Sequence, residues 1–111
     1  MSRDETYLLD MLESAKNVLD YSLGKSWDDF CKDIQCQDAV ICRIEIIGEA
    51  ARRISPEKRK KYPEIEWREM TSMRNLVIHE YDVVDIKVVW DTIQNKIPLL
   101  IETLSKIVSP E

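Results

Sequence analysis

Apolar residues recur at helical spacing along most of the chain. Between residues 3 and 23, Leu8, Met11, Leu12, Ala15, Val18, Leu19 and Ser22 fall on one face of a 3.6-residue repeat and predict a first long helix. Asp4 and Glu5 suit its positive end, and Gly24 supplies a stop. Ser26-Trp27-Asp28-Asp29 is a serine cap with an acid three residues on. It opens a short helix that turns Trp27 and Phe30 inward. A second long helix is expected from about Cys36 to Ile54. It has two stripes, one of Val40, Ile44, Ile47, Ala51 and Ile54, the other of Ala39, Cys42, Ile46 and Ala50. Two stripes mean burial on two sides, so this helix is central or sits in an interface. Gly48, Ala50 and Ala51 allow close helix approach. Ser55-Pro56-Glu57 starts another helix, kept short by Pro63, with residues 63–66 expected to be extended. Trp67 to about Ile78 is helical, its inward stripe being Trp67, Met70, Met73 (or Arg74) and Val77. After a connector, Asp85 caps a last helix running to about Val108. Ile86, Val89, Trp90, Ile93, Ile97, Leu100, Ile101, Leu104 and Val108 form its core face, and Pro98 is expected to kink it.

The pattern therefore predicts an all-α fold. It is an antiparallel helical bundle of three long helices plus short ones, occupying residues 1–111 as a single domain. Two glycines and one phenylalanine disfavour a turn-rich β-sandwich. Apolar residues make up 44% and charged residues 33%, which excludes a disordered chain. No apolar run approaches the length of a membrane span, and the N-terminus is charged. Neither a transmembrane segment nor a secretory signal is expected, and the location is expected to be cytoplasmic. Cys31, Cys36 and Cys42 are odd in number, fit no zinc spacing and read as reduced thiols. The net charge of −5 argues against broad polyanion binding. Yet Arg52, Arg53, Lys58, Arg59, Lys60 and Lys61 stand against Glu57 alone. Such a patch can meet a phosphate backbone, and it also reads as a solvated helix end. The acidic surplus elsewhere could suit a basic protein partner.

Chemistry concentrates in Met73-Arg74-Asn75-Leu76-Val77-Ile78-His79-Glu80-Tyr81, which holds the one histidine of the chain. A permanent cation, a group that moves protons near neutral pH and a phenol stand close together. Acyl transfer would need an adjacent nucleophile and orienting acid, which are missing. A cation beside a proton shuttle suits a phosphodiester, whose charge grows on the equatorial oxygens during transfer. Five residues separate Arg74 from His79, or about 140° around a continuous helix. Asn75 and His79, four apart, share a face. Either the helix breaks near His79 or the site is assembled from two copies of the chain. The plainer alternative is a helix-end histidine and a surface arginine. Arg43, a helical neighbour of Ile47, could reach a site from the core edge, or could pair with Glu49 or Asp38. No acidic cluster at ligand spacing accompanies the motif, so neither a metal nor another cofactor is expected.

The spacing R-x4-H-x-Y, within Arg74-Asn75-Leu76-Val77-Ile78-His79-Glu80-Tyr81, resembles the signature of the HEPN superfamily, and most closely that of HepT-like ribonuclease toxins. The run Arg43-Ile44-Glu45-Ile46-Ile47-Gly48-Glu49-Ala50 is similar to that family's second helix. The order Trp67, motif, then Tyr81-x-x-Val84-Asp85 matches as well. The resemblance covers essentially the whole chain. It implies a HEPN-type bundle that dimerises, with two motifs facing each other across a two-fold cleft. It further implies a type II toxin acting as a metal-independent endoribonuclease on RNA. Arg74 and His79 would be catalytic, with Asn75, Tyr81 and Arg43 supporting. The implied partner is a minimal nucleotidyltransferase antitoxin that adenylylates the motif tyrosine, here Tyr81. The alternative is a non-catalytic helical dimer that presents substrate to such a nucleotidyltransferase.

Overall fold

The computed structural model describes residues 2–78 and 85–108, with 73–78 described as helical backbone only. These residues form α1 (Arg3–Ser22), α2 (Trp27–Lys32), α3 (Ile34–Arg53), α4 (Pro56–Lys61), α5 (Trp67–Ile78), α6 (Ile86–Asn95) and α7 (Ile97–Ile107). No strand occurs among the described residues, as the all-α reading expects. None of their helices is long and apolar enough to cross a membrane.

The organising unit is the antiparallel pair α1–α3. Each helix is 20 residues long, and this pair shares the most extensive packing in the fold. Both ends of the pair are tied. The Cys36 thiol donates to the Tyr21 carbonyl at 3.4 Å. At the opposite end, the N–H and Oγ–H of Ser55 donate to the Asp4 carboxylate at 3.0 and 2.6 Å. Between these ties, Leu8, Met11, Ala15 and Val18 of α1 are buried with Val40, Ile44, Ile47 and Ala51 of α3. Each large aliphatic side chain so buried contributes about 1.5–3 kcal/mol. The turn after α1 uses Gly24 at φ +75°, a conformation that L side chains rarely adopt.

Capping residues set most boundaries. Ser26 and Asp29 form the expected capping box, each side chain accepting from the other's N–H at 3.1 Å. Asp33 accepts from Cys36 N–H at 2.9 Å and starts α3 two residues earlier than periodicity predicts. Phe30 is fully buried against Trp90, ring centroids 5.2 Å apart, and half-buried Trp27 packs on the other side of that indole at 6.1 Å.

One expectation is corrected. Residues 63–66 are not extended. They turn, with Ile65 N–H bonded to Tyr62 O at 3.2 Å, because the Ile65 side chain is drawn into the core. The last helix is kinked as expected, the interruption falling at Lys96 between α6 and α7. Pro98 has no N–H to give to Gln94, and its ring crowds that carbonyl, so the chain breaks before the proline and reuses it in the first turn of α7. The predicted apolar face survives the break: Val89, Ile93, Ile97, Leu100 and Leu104 are all buried.

Candidate functional site

The helix that carries Arg74 and Asn75 is α5, and its position is fixed from its first residue. The Trp67 indole N–H donates to the carbonyls of Tyr62 at 3.0 Å and Arg59 at 3.2 Å, locking α5 onto α4. In turn, the Arg59 guanidinium donates to the carbonyls of Arg52 at 2.8 Å and Ala51 at 3.3 Å, which seats α4 on the end of α3. Both carbonyls belong to the last turn of α3, where Ala51 O also accepts from Ile54 N–H at 3.3 Å, so a cation there adds hydrogen bonds and complements the dipole. Because α5 begins where α3 ends and packs along it, the two run antiparallel.

That geometry places the sequence-predicted residues as follows. Arg74 and Asn75 lie on the last two turns of α5. Arg43 is half-buried on α3, ten residues back from the helix end, or about 15 Å along the axis. The twelve residues of α5 cover about the same rise. His79 and Tyr81 lie outside the described residues, and with them the question of whether the helix breaks at the histidine. Among the described residues, Glu49 pairs with Arg52 at 3.7 Å and Arg53 at 3.4 Å.

On α3, the second apolar stripe is graded. Ala50 is buried, Ala39 and Ile46 are half-buried, and Cys42, one residue from Arg43, is exposed.

A groove of about 370 Å³ between the start of α5 and the α6–α7 junction does not suit an anion, being lined by Glu64, Glu66, Glu69 and Asp91 with Lys96 as cation. Lys96 is itself ion-paired to Glu69. Positive surface is found instead at the α3–α4 corner. Arg52, Arg53, Lys60 and Lys61 are exposed there. The ammonium groups of Lys58 and Lys61 sit 5.9 and 5.8 Å from the centre of the Tyr62 ring. The cations were visible in the sequence. The part played by Tyr62, and the carbonyl-capping role of Arg59, were not, since both depend on how α4 folds back.

Comparison with known proteins agrees with this architecture. The family model described as ribonuclease HepT-like matches residues 11–107. The probable ribonuclease HepT of Thermococcus cleftensis is 40% identical, over 85% of this chain and 86% of its own. A Methanocaldococcus jannaschii protein whose name includes RNase is 34% identical, over 92% of this chain and 84% of its own. Another protein with RNase in its name, from Caldanaerobacter subterraneus subsp. tengcongensis, is 33% identical over 100% of this chain and 99% of its own. No solved structure matches the chain. On the span of the family match and the near full-length relatives, the chain belongs to the ribonuclease HepT-like family.

Proposed function

We propose that this chain is the toxin of a type II toxin–antitoxin pair and works as a metal-independent endoribonuclease in the cytoplasm. Its site is shared by two copies of the chain. The observation that carries the reading is the set Arg74, His79 and Tyr81 at R-x4-H-x-Y spacing, inside a chain matched to a ribonuclease family from residue 11 to 107. The relatives' names support the same activity.

In a two-fold cleft, two guanidiniums and two imidazoles surround one phosphodiester. One His79 accepts the proton of the ribose 2′-hydroxyl as its oxygen attacks phosphorus. The partner copy's imidazolium gives a proton to the departing 5′-oxygen. An unperturbed imidazole titrates near pH 6.5, so both forms coexist at neutral pH. Arg74 holds the non-bridging oxygens and offsets the charge that builds on them, a charge-assisted and bidentate contact. Asn75 orients the imidazole or donates to the phosphate. Tyr81 positions the substrate strand. Arg43, half-buried on α3, adds positive potential.

Control falls to a minimal nucleotidyltransferase antitoxin that adenylylates Tyr81. The added phosphate puts bulk and negative charge beside Arg74 and His79 and keeps RNA out. The test is purified protein incubated with total RNA in chelator, beside the His79→Ala variant. The expected result is cleavage by the parent and a loss of about 10²–10⁴-fold in the variant. Equal cleavage by both would take His79 out of the reaction, and none by either would make the chain a non-catalytic helical dimer that presents substrate to its nucleotidyltransferase.

A further inference from the structure

We infer that the corner formed by the end of α3 and by α4 is a second RNA-binding surface, gripping the strand away from the scissile bond. The inference takes the identity of the polymer from the ribonuclease reading above. Its basis is separate. Residues 52–61 carry six cations against Glu57, in a chain whose net charge is −5. Arg59 is withdrawn from this set, because its guanidinium is spent on the Arg52 and Ala51 carbonyls. Arg52 and Arg53 are exposed and share Glu49 as an ion-pair partner, Lys60 and Lys61 are exposed, and Lys58 is half-exposed. One helix terminus needs far less positive charge than this to complement its dipole.

Two features select a nucleic acid over an acidic protein. Lys58 and Lys61 hold their ammonium groups over the half-buried Tyr62 ring, so cations for phosphates stand beside an aromatic group, and a base that stacks on the ring displaces an ammonium toward the backbone. A protein partner would want an apolar centre. The large exposed apolar side chains among the described residues are Tyr21, Leu23, Ile34, Val88 and Leu99, none of which is on α4. The corner is also rigidly coupled to the motif. Trp67 ties the carbonyls of α4 to the first residue of α5, and α5 spans about 16 Å to its last described turn. A strand held at the motif and running back along α5 meets the lysines within a few nucleotides.

The test measures binding of a fluorescein-labelled single-stranded RNA about 20 nucleotides long by anisotropy across a salt series. It is done in the His79→Ala background, with cleavage by the parent protein assayed in parallel. Adding K58Q/K60Q/K61Q is expected to weaken binding at least about tenfold near 0.1 M salt and to lower the salt slope by about 2. K58R/K60R/K61R keeps the affinity. K16Q/K32Q/K106Q, the same charge change at exposed positions elsewhere, leaves it unchanged. Affinity and slope in the first triple equal to those of the control triple would overturn the proposal. So would tight binding of poly-glutamate that is lost with the same substitutions. RNA binding that depends on the corner, in a parent protein that cuts nothing, would leave this surface standing and remove the nuclease. Cleavage with corner-independent binding would do the reverse.

Discussion

Asp4 and Ser55 stand 51 positions apart and are joined by two hydrogen bonds, from Ser55 N–H at 3.0 Å and Ser55 Oγ–H at 2.6 Å. One carboxylate at the start of α1 thereby fixes the first residue before α4. Ser55 in turn caps α4 through Lys58 N–H at 3.3 Å. The corner on which α5 rests is built from this contact outward.

The contact makes stability pH-dependent in a definite direction. The side-chain and then the backbone hydrogen bond from Ser55 hold the Asp4 carboxyl below its usual range. Asp29 is lowered first by the Ser26 N–H. Asp33 is lowered first by the Cys36 N–H and next by its bond to Lys25, an ion pair at 2.9 Å. A carboxyl lowered on folding gives its full stabilisation above the unfolded value, near 3.9, and loses it as pH falls through the folded value. Urea midpoints are therefore expected to hold from about pH 7 to pH 5 and to fall steeply below about pH 4. Asp4→Ala should lower the midpoint at neutral pH, and its difference from the parent should shrink in acid. A difference that grows in acid would contradict this role for Asp4.

Trp67→Phe keeps an aromatic ring, smaller than the indole, and deletes the N–H that is shared between the Tyr62 and Arg59 carbonyls. The expected cost is about 1–2 kcal/mol in urea unfolding. Because the same bond sets where the motif helix begins, RNA cleavage should fall as well, at protein concentrations where the variant remains folded. Full activity together with the stability loss would show that the end of α5 is positioned by other contacts.

Phe30→Ala is expected to cost about 3–5 kcal/mol, since the ring is wholly buried against Trp90 and its cavity cannot close. Cys31→Ser, at the exposed neighbouring position, should stay within about 0.5 kcal/mol. Calorimetric melting of the two variants reads both effects.

Much of the bundle was legible because helical periodicity and caps agree. Leu8 to Ser22 and Val89 to Leu104 name their buried faces directly. The misses have local causes. Ile34 points its side chain to solvent, so the apolar repeat of α3 starts only at Cys36, and the Asp33 cap was passed over. The segment after Pro63 reads as extended by composition, yet the burial of Ile65, a tertiary effect, bends it. Pro98 signals a disturbance without saying on which side of itself the helix will part. At the site, Arg74, Asn75 and Arg43 could be named from spacing and resemblance. That α4 seats the start of α5 on the end of α3 followed only from the chain of bonds Arg59–Arg52 and Trp67–Tyr62.

Whether two chains share one reaction centre is tested most directly by subunit mixing. Parent protein and His79→Ala would be co-refolded at equal amounts, and ribonuclease activity in chelator measured against the parent fraction. If one imidazole accepts and its partner's donates, only dimers with two parent chains cut, and activity drops to about one quarter. A linear decline to about one half would mean that each chain works alone.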